Sequence, residues 1–249
     1  KLGLLLDNLR VFSDLDTLAE EIALRLKEAA DLALKENRIY SIVLSGGESA
    51  AKIYQKFASP GLGEKIPWRV VHLFWADERC VPSESKECNF NIACEAFLNS
   101  ISIPSKNIHR INAEINPHKE SIRYDMEIRE HLTLKETDDF FFDWVLLGLG
   151  EDGHTASLFP NQENLFKTTN LCILTNNPKT GQKRITLTPA AIKKSSCVTY
   201  HVVGQHKSQI VASLFSEFSQ SLKYPASYIP GEWYLDKDAA SNLRKLKKN

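Results

Sequence analysis

The run over residues 143–160, DWVLLGLGEDGHTASLFP, limits what this chain can become more than any other segment. Trp144-Val145-Leu146-Leu147 has the length and apolar content of a buried strand. Gly148, Gly150 and Gly153 then break the pattern into a tight loop. Asp152 and His154 stand at its tip, and Thr155, Ala156 and Ser157 are residues able to open a helix. In open α/β sheets ligands bind at the carboxyl ends of strands, so this loop is built like an active site.

The rest of the chain repeats the alternation. Residues 15–34 carry apolar side chains at helical spacing, with Ser13 or Asp14 as cap. Strands are expected over 39–44, 68–75, 171–174, 185–187, 197–203 and 233–235. Helices are expected over 49–57, 89–98, 117–134 (polar-rich and on the surface), 205–218 and 236–246. Such alternation specifies an α/β fold, a mainly parallel sheet with helices on both faces. The 249 residues contain no repeat, low-complexity block or linker, and a single domain over 1–249 is expected.

Charge excludes some function classes. Lysine plus arginine equals aspartate plus glutamate at 31 each, so no global field draws the chain to nucleic acid or an anionic membrane. The basic residues 244–249 read as a solvated helix end. Cys80, Cys88, Cys94, Cys172 and Cys197 are odd in number and lack CxxC spacing, against a disulfide framework or a zinc site. Cys80 adjoins a charged motif but reads as a bystander thiol. Reduced thiols, no signal-peptide pattern and no apolar run near ~20 residues make a cytoplasmic enzyme the expectation. The chain opens on Lys1 rather than methionine, as either a trimmed chain or a domain cut from a longer polypeptide would.

Two further constellations follow strands. Ser45-Gly46-Gly47 before a helix is a phosphate-cradle arrangement, in which backbone N–H groups and the helix N-terminus face an anion. Asp77-Glu78-Arg79 stands at the expected end of the second strong strand; the alternative reading is a surface salt-bridge cluster. Arginine's planar fork suits phosphate oxygens. The spacing Gly148-x-Gly150-x-x-Gly153 also matches a dinucleotide fingerprint. That fingerprint needs an acidic residue after the next strand, where this chain has Thr175-Asn176-Asn177.

The whole run from Gly148 to Pro160 closely resembles the signature of the 6-phosphogluconolactonases, within the glucosamine-6-phosphate isomerase/6-phosphogluconolactonase superfamily. The likeness continues through Ser45-Gly46-Gly47, Asp77-Glu78-Arg79-x-Val81-Pro82 with Asn89, Lys183 to Thr188, Val203 to Lys207, and the closing Trp233-Tyr234-Leu235-Asp236. It departs at Glu48 and Ala50, where the family usually has serine and proline. Glu48 is therefore expected to face solvent.

The resemblance implies a Rossmann-like fold similar to glucosamine-6-phosphate deaminase. It implies hydrolysis of 6-phospho-D-glucono-1,5-lactone, without cofactor or metal. His154 would act as general base and then acid, since an imidazole titrates near working pH. Asp152 or Asp77 would orient it, and loop N–H groups would stabilise the oxyanion. Gly46, Gly47, Ser49, Arg79, Arg184 and Lys207 would hold the phosphate, with His206 a bystander. No G-x-S-x-G elbow is present, so Ser157 is not read as a nucleophile. A functional or covalent link to glucose-6-phosphate dehydrogenase also belongs to the resemblance. Two other readings stand beside it. The deaminase places a glutamate where this chain has Phe159. A non-catalytic sugar-phosphate-binding domain would not need both Asp152 and His154.

Overall fold

The computed structural model describes residues 8–133, 142–216 and 224–243. In chain order the regular elements are β1 (Leu9–Phe12), α1 (Leu15–Lys35), β2 (Tyr40–Leu44), α2 (Glu48–Phe57), β3 (Val71–Trp75), β4 (Asp77–Arg79), α3 (Asn89–Ala96), β5 (Ile108–His109) and α4 (Pro117–Thr133). Then follow β6 (Phe142–Leu147), β7 (Cys172–Asn176), β8 (Lys183–Leu187), α5 (Pro189–Lys193), β9 (Ser195–Val202), α6 (Ser208–Leu214) and β10 (Glu232–Asp236).

The main sheet has seven strands in the order β1-β10-β9-β6-β2-β3-β5, and every neighbouring pair is parallel. β2 is buried along its whole length, as a central strand covered on both faces must be. Helix α1 starts where the spacing predicts: Asp14 accepts a hydrogen bond from the Thr17 backbone N–H at 2.8 Å, and Leu18, Ile22 and Leu26 face the core. Among the described residues no helix is long and apolar enough to cross a membrane.

Two tyrosines fasten helices to strand ends by the same device. Tyr54 on α2 accepts from the Ser45 N–H and donates to the Ser45 carbonyl, both at 2.8 Å. Tyr124 on α4 accepts from the Trp75 N–H at 2.8 Å and donates to its carbonyl at 3.1 Å. Both phenols are fully buried, and burial pushes both well above the ordinary tyrosine range. Each hydroxyl thus stands in for a missing sheet neighbour and satisfies two buried backbone groups.

Several sequence expectations are corrected. The second strong strand starts at Val71, not Trp68; the Trp68 indole instead donates to the Gly63 carbonyl at 3.0 Å. A second, antiparallel sheet, β4-β8-β7, was not anticipated. It takes Asp77–Arg79 away from the end of β3 and pairs them with β8. The long helix α4 is not simply on the surface, since Tyr124 and Ile128 are buried. No helix opens at 155–157: Ala156 adopts a left-handed φ of 49°, and Thr155 and Leu158 form an antiparallel bridge. Residues 205–207 form a 3-10 turn before α6, and 237–242 run as turns rather than helix. The expected helix ends at Leu134 and Phe218, and the basic residues 244–249, lie outside the described residues.

His201 on β9 is 1% exposed, and its Nε2 lies 2.8 Å from the Ser45 hydroxyl oxygen. Burial pushes its pKa down to about 4. The unfolded chain therefore binds this proton more readily, at the ordinary value of about 6.5. Its contribution is complete above that value and is lost as pH falls towards 4, by on the order of 3 kcal/mol. We expect the urea midpoint to fall across this window, and to fall less in His201→Gln. Equal slopes in the two proteins would contradict the assignment. Tyr124→Phe orphans two buried backbone groups, and urea titration should show a loss of about 1–3 kcal/mol.

Candidate active site

The strand order turns at β2 and β6. β2 is followed by its neighbour on one side, β3, and β6 by its neighbour on the other, β9. The loops leaving β2 and β6 therefore part in opposite directions and leave a crevice between them. A cleft of about 460 Å³ opens there. The residues singled out from the sequence line it, apart from Asp152, which stands behind His154.

The glycine loop after β6 is shaped around one imidazole ring. The Gly150 N–H donates to the His154 carbonyl at 2.8 Å, and the Thr155 hydroxyl donates to the Gly148 carbonyl at 2.9 Å. A Cβ on Gly150 would lie 1.9 Å from His154 Nδ1, so only glycine leaves room for the ring. Asp152 Oδ1 lies 2.5 Å from Nδ1 and also accepts from the His154 N–H at 3.2 Å. The hydrogen bond from His154 holds the Asp152 carboxyl well below the usual carboxylate range, with Lys179 adding a smaller pull at 3.6 Å. Phe159 packs on the imidazole with centroids 4.9 Å apart. Of the two aspartates, Asp152 is the one in contact with the ring. The expectation of oxyanion donors is narrowed, because the N–H groups of Gly150, Gly153 and His154 are engaged within the loop.

The second sheet supplies the opposite wall. Its register sets Arg79 directly across from Arg184. Like charges facing each other across a strand pair are unfavourable. Arg184 is 12% exposed at the side chain, and burial together with Arg79 lowers its pKa. Its Nε donates to Gln182 at 2.8 Å, and Nη1 lies 3.8 Å from Asp77 Oδ2. Arg79 Nη1 donates to the Glu87 carbonyl at 2.7 Å, while its Nε is buried with no hydrogen-bond partner among the described residues. Two half-compensated guanidinium groups at one cleft leave hydrogen-bond donors of the kind that suit an anion.

Asp77 and Glu78 have separate tasks. Asp77 accepts from the Ser157 hydroxyl at 2.7 Å and from the Asn89 side chain at 3.3 Å. Ser157 is 0% exposed and committed to that bond, which rules it out as a nucleophile in this arrangement. Glu78 turns away from the cleft and accepts from the N–H groups of Asn89 at 2.7 Å and Phe90 at 2.9 Å, capping α3. The acidic pair is therefore no surface salt-bridge cluster. Burial pushes the Cys80 thiol up to about 11, in keeping with a bystander.

Helix α2 closes the site. Gly47 is its N-cap with φ 103°, and no side chain caps the first turn. The start of the helix, whose first N–H groups no helix satisfies internally, lines the cleft at Gly47, Glu48 and Ser49. Gly46 cannot carry a Cβ, which would lie 1.9 Å from Asn89 Oδ1. Glu48 is exposed, as expected, at the rim. Lys207 reaches the cleft from the turn after β9, and burial lowers its pKa. His206 lines the cleft as well. Lys52 and His201 also line it and were missed from the sequence. Lys52 lies one turn beyond Glu48, a position helical periodicity could have flagged. His201 gave no local signal.

Residues 13–235 match the model of the family described as glucosamine-6-phosphate isomerases/6-phosphogluconolactonase. A 6-phosphogluconolactonase of Aggregatibacter actinomycetemcomitans is 39% identical over 207 residues, covering 81% of this chain and 87% of that protein. A 6-phosphogluconolactonase of Haemophilus influenzae is 36% identical over 229 residues, covering 87% and 96%. The crystal structure of 6-phosphogluconolactonase from Thermotoga maritima superposes with a TM-score of 0.75 at 29% identity, covering 92% of this chain and 98% of that one. With its glycine loop, its opposed arginines and this match over most of its length, the chain belongs to the glucosamine-6-phosphate isomerase/6-phosphogluconolactonase family.

Proposed function

We propose that the chain hydrolyses 6-phospho-D-glucono-1,5-lactone to 6-phospho-D-gluconate, as a single catalytic domain. The observation that carries this reading is the placing of the His154–Asp152 pair and the opposed Arg79 and Arg184 on two walls of one cleft. The arginines, with Lys207 and the first turn of α2 at Gly46, Gly47 and Ser49, hold the phosphate. The lactone carbonyl then lies towards His154. Asp152 accepts a hydrogen bond from Nδ1–H, which keeps that proton on Nδ1 and leaves the Nε2 lone pair as the base. Nε2 takes a proton from water as its oxygen bonds to C1. The tetrahedral intermediate collapses with cleavage of the bond between C1 and the ring oxygen, and the imidazolium returns the proton to that oxygen. Asp77 keeps Arg184 and Ser157 in place at the edge of the site.

The deaminase reading is disfavoured by Phe159, an apolar ring where that chemistry places a carboxylate. We further place the enzyme in the cytosol, functionally linked to the glucose-6-phosphate dehydrogenase reaction that forms the lactone.

His154→Ala should lose at least ~100-fold in kcat while the protein stays folded, and Asp152→Asn should follow it in the same direction. Near-native turnover by folded His154→Ala would remove the histidine from the mechanism. Arg184→Ala should lower kcat/KM for the phosphorylated lactone about ten-fold to a hundred-fold, the effect of one charge-assisted contact. Turnover of unphosphorylated gluconolactone should barely change. Both lactones are followed at slightly acidic pH, where their spontaneous loss is slower. Equal losses on both would separate Arg184 from the phosphate.

A further inference from the structure

Three histidines outside the cleft converge where α4 covers the edge of the main sheet. His72 lies on β3, His109 on β5 and His131 in the last turns of α4. The β3–β5 register pairs Phe74 with His109, and strand alternation puts His72 on the same face as Phe74. Phe74 stacks on His109 with centroids 4.2 Å apart and meets His131 edge-on at 4.8 Å. Each histidine thus offers one ring nitrogen, and these three atoms lie within 4.8 Å of one another. His72 Nδ1 is 2.9 Å from His109 Nε2. The other nitrogen of His109, Nδ1, is 2.8 Å from Glu127 Oε1. Glu127 and His131 are four residues apart on α4 and so share one face.

We propose that His72, His109 and His131 bind one divalent transition metal ion, zinc by preference, with Glu127 as the carboxylate that orients His109. Three imidazoles and a fourth position left to water form a recurrent zinc donor set. Imidazole also suits copper and nickel, whereas magnesium and calcium demand oxygen ligands. The contact between Glu127 and His109 is the second observation. Metal-bound histidines commonly give their remaining N–H to a carboxylate, which fixes the tautomer and aims the other nitrogen at the ion. Here that aimed nitrogen is Nε2, the atom facing His72.

Zinc–nitrogen bonds of about 2.0–2.1 Å set tetrahedral donors about 3.4 Å apart. The pair now at 2.9 Å opens slightly, and the widest separation closes by side-chain rotation. Ligation through Nδ1 takes the His72 tautomer that carries its proton on Nε2. His72 and His109 are partly exposed, which gives the ion a way in. The site is separate from the cleft: His72 stands near the amino end of β3, and Asp77 follows its carboxyl end. An ion there ties β3, β5 and α4 together.

Cobalt(II), which reports its own coordination, is the probe. Titration of the full chain should give visible d–d bands that saturate at one equivalent, without the near-ultraviolet charge-transfer band of a thiolate ligand. Zinc should displace the cobalt and raise the Tm. His72→Asn and His131→Asn should each abolish the visible bands. Glu127→Gln, which keeps all three ligands, should weaken cobalt binding about ten-fold to a hundred-fold while preserving the band shape. No bands at saturating cobalt, thiolate charge transfer, or bands that persist in both histidine variants would overturn the proposal.

Discussion

The register of β6 on β2 is the constraint from which the cleft follows. Asp143 accepts from both the N–H of Ser41 at 2.7 Å and its hydroxyl at 3.0 Å, with Arg38 at 3.1 Å on the other oxygen. This clamp sits at the start of the pairing that matches Ile42 with Trp144 and Val43 with Val145. A one-residue slip would turn Trp144 to the opposite face of the sheet and shift the glycine loop relative to the Ser45 loop. Because β2 and β6 are buried neighbours, their loops can only emerge side by side. Tyr54 then fixes one of them from α2, and the bond between Asp152 and His154 shapes the other.

The cleft is held together by compensation rather than by attraction alone. Asp77 is restrained by Ser157 and Asn89 and meets Arg184 only in a long ion pair of 3.8 Å, so it lowers the repulsion between the arginines without a close contact to either. The guanidinium groups keep unspent hydrogen-bonding capacity, visible in the orphaned Arg79 Nε. An anion that enters meets donors whose positions are already set by the second sheet, so little ordering cost falls on binding.

Much of the main sheet was legible because its strands are local apolar runs, and β2 and β6 are the plainest of them. The glycine loops were legible for the same reason, since the turn and the residues at its tip are contiguous. What escaped was non-local. β4 joins the local β7–β8 hairpin from a distant part of the chain, and its three residues carry no periodicity to read. Residues 155–157, which are able to open a helix, do not, and Ser157 is instead bonded to Asp77 and Thr186, a pairing that propensity cannot weigh. Glu78 looked like half of an exposed acidic pair, and only the fold shows it as the cap of α3. His201 stands in an ordinary apolar strand and gains its meaning from Ser45.

Gly150 and Gly153 are glycines for different reasons. At Gly153 the backbone itself demands it, with φ 80°, and a Cβ would in addition lie 2.4 Å from the Tyr224 ring. At Gly150 the backbone angle would accept any residue, and the veto comes from the neighbouring ring. Natural variation at these two positions should therefore behave differently. A side chain at 150 becomes admissible only if the residue at 154 shrinks, so the two positions are coupled. In a relative that had lost the ring at 154, position 150 would be free to change while 153 stayed glycine.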